Sequence, residues 1–214
     1  MNKNLTDITV VLDRSGSMQT CRTDAEGGLN AFIDDQKTKP GAANFSLVMF
    51  DNEYEWVHRA KPIGEVGKCE LIPRGNTAML DAIGKAIVET GERLAKMPEH
   101  DRPGLVVFVI LTDGQENAST EYKRDQIKAM IERQTKDYNW QFMYLGANQD
   151  AFAEASSMAI KTSNIANYST NNSTAAFASA GASTSRMRYA CMVGGNVNAA
   201  AAYTEDERKS MVAP

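Results

Sequence analysis

The sequence predicts an α/β fold: a doubly wound, mostly parallel central sheet with one antiparallel edge strand and helices on both faces. Three observations predict it. Leu105 to Leu111 is an unbroken apolar run, mostly β-branched or aromatic, which reads as a central strand buried on both faces. Strand-like runs alternate with amphipathic helical patterns along most of the chain, as parallel crossovers require. The 214 residues, 43% of them hydrophobic, are enough for one domain with a sizeable core, or one domain plus a tail.

The elements follow in order. Ile8 to Leu12 is β-branched and apolar, a buried parallel strand. Thr23 to Lys37 reads as a helix with Leu29, Phe32 and Ile33 on one face, stopped by Pro40-Gly41. Phe45 to Phe50 is a second strand. Asp51-Asn52-Glu53 turns it into Tyr54 to His58, an antiparallel edge strand of the same hairpin. Lys61 to Asn76 is loop-like, with Pro and Gly throughout. Leu80, Ile83, Ile87, Val88 and Leu94 mark an amphipathic helix that ends at Met97-Pro98.

After the central strand, Ser119-Thr120-Glu121 is the expected start of a helix whose Ile127, Met130 and Ile131 face inward. Trp140 to Leu145 is the next strand, with Gly146-Ala147-Asn148 as its exit turn. Asp150 to Met158 reads as helix and Ile165 to Tyr168 as a short last strand at an edge. Ala175, Phe177, Ala178 and Ala182 allow a closing helix up to about Tyr189. Beyond it the pattern is lost, so the expected organisation is one domain over 1–190 and a flexible tail over 191–214.

Composition excludes several functions. Lys and Arg number 23 against 27 Asp and Glu, giving a net charge of −4. No basic excess or Lys/Arg-dense run favours nucleic acid. The N-terminus lacks the h-region and cleavage site of a signal peptide, and no apolar run is long enough to cross a bilayer. Cys21, Cys69 and Cys191 are scattered, without a CxxC spacing, which fits neither a disulfide framework nor a zinc site. Free thiols fit a reducing cytoplasm. His58 and His100 have no spacing that suggests a ligand or a base. No Gly-x-Ser-x-Gly elbow or Walker loop is present.

One constellation stands out. The first strand delivers Asp13, Ser15 and Ser17 at alternate positions into a Gly-containing turn. Gly75-Asn76-Thr77 offers a third hydroxyl, and Leu111-Thr112-Asp113-Gly114 a second carboxylate after another apolar strand. Hard oxygen donors of this kind suit a divalent cation. Asp-x-Ser-Gly-Ser alone could equally be a turn whose side chains cap the next helix. Asp13 and Asp113 both follow the carboxyl ends of central strands, where doubly wound sheets place ligands. If those strands are neighbours, the two acids face one another at the switch point. Arg14, Met18, Asn76, Gln115 and Glu116 flank the set, as rim residues that tune partner choice or as ordinary surface. Asp81 reads as a charge at a helix N-terminus.

The ordered set Asp13-x-Ser15-x-Ser17, Thr77 and Thr112-Asp113-Gly114 resembles the metal-ion-dependent adhesion site of von Willebrand factor type A domains. The resemblance covers roughly residues 5–190. More narrowly, Leu12–Met18, Arg74–Gly84, Thr112–Ser119 and Leu145–Ala151 resemble segments of compact bacterial and bacteriophage members. It implies a Rossmann-like fold and a site in which an acidic side chain of a protein partner completes the shell of an ion held by Asp13, Ser15, Ser17, Thr77 and Asp113. Two carboxylates and neutral hydroxyls suit Mg²⁺ better than Ca²⁺, and Mn²⁺ also suits an all-oxygen site. Bacterial relatives serve as adaptors to AAA+ ATPases, which makes such an ATPase one partner implied; neither nucleic acid nor membrane is expected. The function expected is a binding module and not an enzyme. The alternatives are an assembly protein with a stabilising ion and, less favoured, a metal-dependent phosphohydrolase. Against the last, position 15 is Ser where a dehalogenase-like phosphatase needs a second Asp.

Overall fold

Alternate residues of the first strand feed two separate cores. Ile8, Val10 and Leu12 of β1 (Asn2–Asp13) enter one hydrophobic cluster and Val11 enters the other. A strand pointing apolar side chains both ways needs a layer of helices on each face. The structure, a computed structural model, describes residues 1–147 and 150–213.

One layer holds α1 (Arg22–Lys37) and α5 (Ser173–Val193); the other is built largely by α2 (Met79–Ala95), α3 (Arg124–Tyr138) and α4 (Ala151–Ser157). Between them β2 (Ala42–Phe50), β3 (Tyr54–Pro62), β4 (Pro103–Thr112), β5 (Gln141–Gly146) and β6 (Ile165–Asn167) join β1 in a six-stranded sheet of order β3-β2-β1-β4-β5-β6. Only β3 runs antiparallel, on β2 at one edge. Strand order reverses between β1 and β4, which pair in parallel with Leu12 opposite Leu111. The two acid-bearing strand ends are therefore neighbours at the switch point.

The layers approach closely where residues are small. At Gly28 of α1 a Cβ would lie 2.9 Å from the Phe177 ring and 3.0 Å from Thr174 Cα of α5. Arg188 of α5 is buried and donates to the carbonyls of Gln36, Pro40 and Gly41, closing the C-terminal end of α1.

Two expectations change. The helix expected from Ser119 begins five residues later, with Lys123 as its N-cap. The backbone N–H groups of Thr120, Glu121 and Tyr122 donate instead to the Asp81 carboxylate at 2.7–3.0 Å. Donors spent on a side chain hold the segment as a loop strapped to α2. The region after residue 190 is not a loose tail in the structure. Here α5 runs on to Val193, and α6 (Val197–Ala200) and α7 (Glu205–Val212) pack back on the domain. Ala201, Tyr203 and Met211 are buried, and Arg186 of α5 makes a two-pronged ion pair with Glu207. Thr204 and Glu207 form a capping box that starts α7. Of the exit turn expected after β5, Asn148 lies outside the described residues, as does Gln149 in the segment Leu145–Ala151.

Candidate functional site

Asp13 is the last residue of β1, and its carboxylate is held from two directions. Oδ1 accepts the Ser15 backbone N–H at 2.6 Å, which bends the chain off the strand. Oδ2 accepts the Thr112 hydroxyl of β4 at 2.6 Å, which ties the two central strand ends together. The bend lifts Ser15 and Ser17 onto one side, their Oγ atoms 3.0 Å apart. Ser17 Oγ then donates to Asp113 Oδ1 at 2.6 Å.

The third segment is drawn in by backbone bonds. Gly16 N–H donates to the Gly75 carbonyl at 3.0 Å and Arg74 N–H to the Arg14 carbonyl at 2.7 Å. Gly75 has φ +68°, and a Cβ there would stand 2.6 Å from Asn52 Oδ1, so glycine is what lets this loop lie against the β2–β3 turn. Thr77 follows, its N–H on Asn117 Oδ1 and its carbonyl accepting from Asn117 and Ala118.

These segments converge over Gly114. A Cβ at that position would lie 3.1 Å from Thr77 Oγ1, 3.4 Å from Ser17 Oγ and 3.7 Å from Asp13 Oδ2. One small volume on the Gly114 segment thus touches oxygens from the other two, the Asp13–Ser17 turn and Thr77. The structure brings Asp13, Ser15, Ser17, Thr77 and Asp113 together at the switch point. Burial pushes the Asp13 carboxyl up to about 6 despite its bonds to Thr112 and Ser15, and the nearby Asp113 charge adds to the rise. Burial also raises Asp113, against the pull of its Ser17 bond. Two desolvated carboxylates side by side call for positive charge. Among the described residues no three His, Cys, Asp or Glu side chains gather to hold a metal. The donor set here depends on hydroxyls, which fits a hard, oxygen-preferring cation.

The family profile described as the von Willebrand factor type A domain matches residues 7–180. The chain belongs to the von Willebrand factor type A family. Solved structures agree in fold. Proximal thread matrix protein 1 from the mussel byssus superposes with a TM-score of 0.61 at 18% identity, over 87% of this chain and 46% of that one. The manganese-loaded Plasmodium vivax TRAP protein gives 0.57 at 15% identity, over 82% of this chain and 72% of that one. A von Willebrand factor type A protein from Catenulispora acidiphila gives 0.55 at 15%, over 87% and 42%. The chain thus spans less than half the length of the byssal and Catenulispora proteins. No curated protein matches it.

Around the site, this A domain departs from the rim expected of it. Arg14 is 7% exposed and Met18 fully buried, so neither presents a side chain at the surface. Arg14 Nε binds Asp51 Oδ2 at 3.0 Å and its Nη1 binds Glu55 at 2.5 Å. Arg74, half exposed, binds the same Asp51 oxygen at 2.7 Å. Burial would raise the Asp51 carboxyl, but the Glu53 N–H and the two guanidiniums outweigh it and hold it below the usual range. Glu116 is also a brace: its carboxylate accepts from Leu80, Ala118 and Ser119 N–H and from Ser119 Oγ. Asn76 and Gln115 remain exposed beside the hydroxyls.

Sequence reasoning missed three supporting residues, Asn52, Asn117 and Tyr168, and read a fourth, Asp81, only as a helix-end charge. Asn52 fixes Asn76 N–H, Asn117 fixes Thr77 N–H, Asp81 straps the loop after Asp113, and Tyr168 donates from beneath to the Thr112 carbonyl at 3.3 Å. Asn52 lies in a turn the sequence marks, and Asn117 in a segment shared with the compact members; Tyr168 carries no local signal.

Proposed function

We propose that this A domain is a divalent-metal-dependent protein-binding module that captures an acidic side chain of a protein partner, and that it is not an enzyme. The observation that carries the reading is the convergence over Gly114 of hydroxyls and carboxylates from three segments of the chain. Ser15 and Ser17 are the direct ligands, Thr77 a direct or water-bridged one, and Asp13 and Asp113 supply the negative charge. The ion supplies a Lewis-acidic position for the partner's carboxylate, because neutral hydroxyls leave it electrophilic. Mg²⁺ fits two carboxylates with retained water better than Ca²⁺. Mn²⁺ suits the same oxygens, and the TRAP structure of this fold is manganese-loaded.

The partner is a protein, with an AAA+ ATPase as the working candidate. No described helix is long and apolar enough to cross a membrane. The buried free thiols Cys21, Cys69 and Cys191 fit a reducing compartment, and we place the protein in the cytoplasm.

Thermal melting tests the site. At a hundredfold excess of ion over Kd the native state gains about 2.7 kcal/mol by mass action, about 5–11 °C for a domain of this size. Mg²⁺ or Mn²⁺ is expected to raise Tm by that order over EDTA in the natural protein, and to leave a Ser15→Ala/Asp113→Ala variant unmoved. Equal melting of the natural protein in EDTA and in millimolar ion sinks the reading.

A further inference from the structure

Next to the hydroxyl cluster, sharing Thr112 and Gly114 with it, lies a cavity of about 470 Å³ between the ends of β4 and β5 and the helices α3 and α4. Its size is that of a small-ligand or side-chain pocket. Its floor holds Tyr144, Gly146 and Ala151, and its walls Gln115, Arg124, Asp150 and Glu154.

The charge on those walls is one-sided. Glu116, Asp150 and Glu154 line the cavity against a single cation, Arg124. Arg124 is already engaged, with Glu154 at 2.6 Å and Ser157 Oγ at 2.9 Å, so it neutralises one carboxylate and has little left for an incoming anion. Glu116 is turned toward the loop that follows Asp113. Asp150 is exposed, and among the described residues its side chain has only a long contact, 3.5 Å from the Gln115 amide. The aromatic and small residues of the floor suit an aliphatic stem, and the acids above it a cationic head.

We propose that this cavity takes a basic side chain, lysine or arginine, from the same protein segment whose carboxylate the neighbouring site captures. The inference rests on the metal-dependent reading for the second half of that statement. It makes the partner's signature bipartite: an acidic residue for the hydroxyl cluster and a basic one close by for the cavity. Asp150 supplies the charge for the basic head, with Glu154 held in place by Arg124.

The test is an amide-resolved NMR titration of the full chain in Mg²⁺ with N-acetyl-arginine amide, N-acetyl-aspartate amide and acetate as separate probes. The arginine probe is expected to shift the signals of Gln115, Ala151 and Ala153 saturably. Asp150→Asn, a surface change that keeps the spectrum dispersed, weakens it about fivefold, the upper value of an exposed ion pair. Glu154→Gln frees Arg124 to compete for the remaining acids, so the arginine probe is expected to weaken there as well. The proposal falls if the arginine probe leaves these signals unmoved, if Asp150→Asn binds it equally well, or if acetate shifts Ala151 and Ala153 in the natural protein. The aspartate probe reports the other site through Ser17 and Gly114. If it fails there while arginine saturates the cavity, the metal-dependent reading falls and the basic pocket stands. The reverse result overturns the pocket alone.

Discussion

Asp81→Ala lowers the stability of the domain by about 3 kcal/mol, which a Tm decrease of about 6–12 °C would report. Asp81 lies in the first turn of α2 and is 7% exposed. Its two oxygens accept three backbone N–H groups, from Thr120, Glu121 and Tyr122, and its own N–H donates to Ser119 Oγ. Bonds to a carboxylate are about twice as strong as neutral ones. The larger cost is the donors left without an acceptor in a loop packed against the helix. Asp81→Asn keeps one acceptor oxygen and is expected to lose about half as much. A loss under about 1 kcal/mol for the alanine variant, by denaturant melting, means that the loop finds other partners and that Asp81 is a helix-end charge.

Gly114→Ala removes most of the ion-dependent rise in Tm while the domain stays folded. The added methyl would meet Thr77 Oγ1 at 3.1 Å, with Ser17 Oγ and Asp13 Oδ2 just beyond. It sits among the oxygens proposed to hold the ion and displaces the hydroxyls from one another. In EDTA the cost is about 1 kcal/mol, the lower end of overpacking. In millimolar Mg²⁺ a hundredfold weaker site cuts the gain of about 2.7 kcal/mol to about 0.4. Melting of the natural protein and the variant with and without the ion separates the two effects. A variant that retains the full ion-dependent increment shows that the ion binds away from Gly114.

The central strands and the site pieces were legible in the sequence because each carries a local signal. The run Leu105 to Leu111 has no competing reading, and Asp13, Ser15, Ser17, Thr77 and Asp113 fall directly after strands or before a helix. Partners decided by tertiary contact were not legible. Arg14 looks like a rim cation until Asp51, on another strand's turn, draws it inward. Ser119-Thr120-Glu121 resembles a helix start until Asp81 takes the N–H groups that would have entered the helix. The stretch after Cys191 lacks amphipathic periodicity because few residues do its burying: Ala201, Tyr203 and Met211 dock between polar or small neighbours. Arg186 fastens it through Glu207, a contact that local sequence cannot signal.

The pairing of β1 with β4 carries a kinetic consequence. Asp13 ends β1 and Asp113 directly follows the neighbouring β4, yet α1, the β2–β3 hairpin and α2 intervene between them along the chain. Bringing such strands together requires closing a long loop before any contact rewards it, which places the fold among slow, non-local folders. The donor cluster comes into being only when that central seam closes, so it is assembled late on the folding path. Divalent ion added at the start of refolding is then expected to leave the folding rate unchanged and to slow unfolding alone, by the full factor it adds to the equilibrium constant.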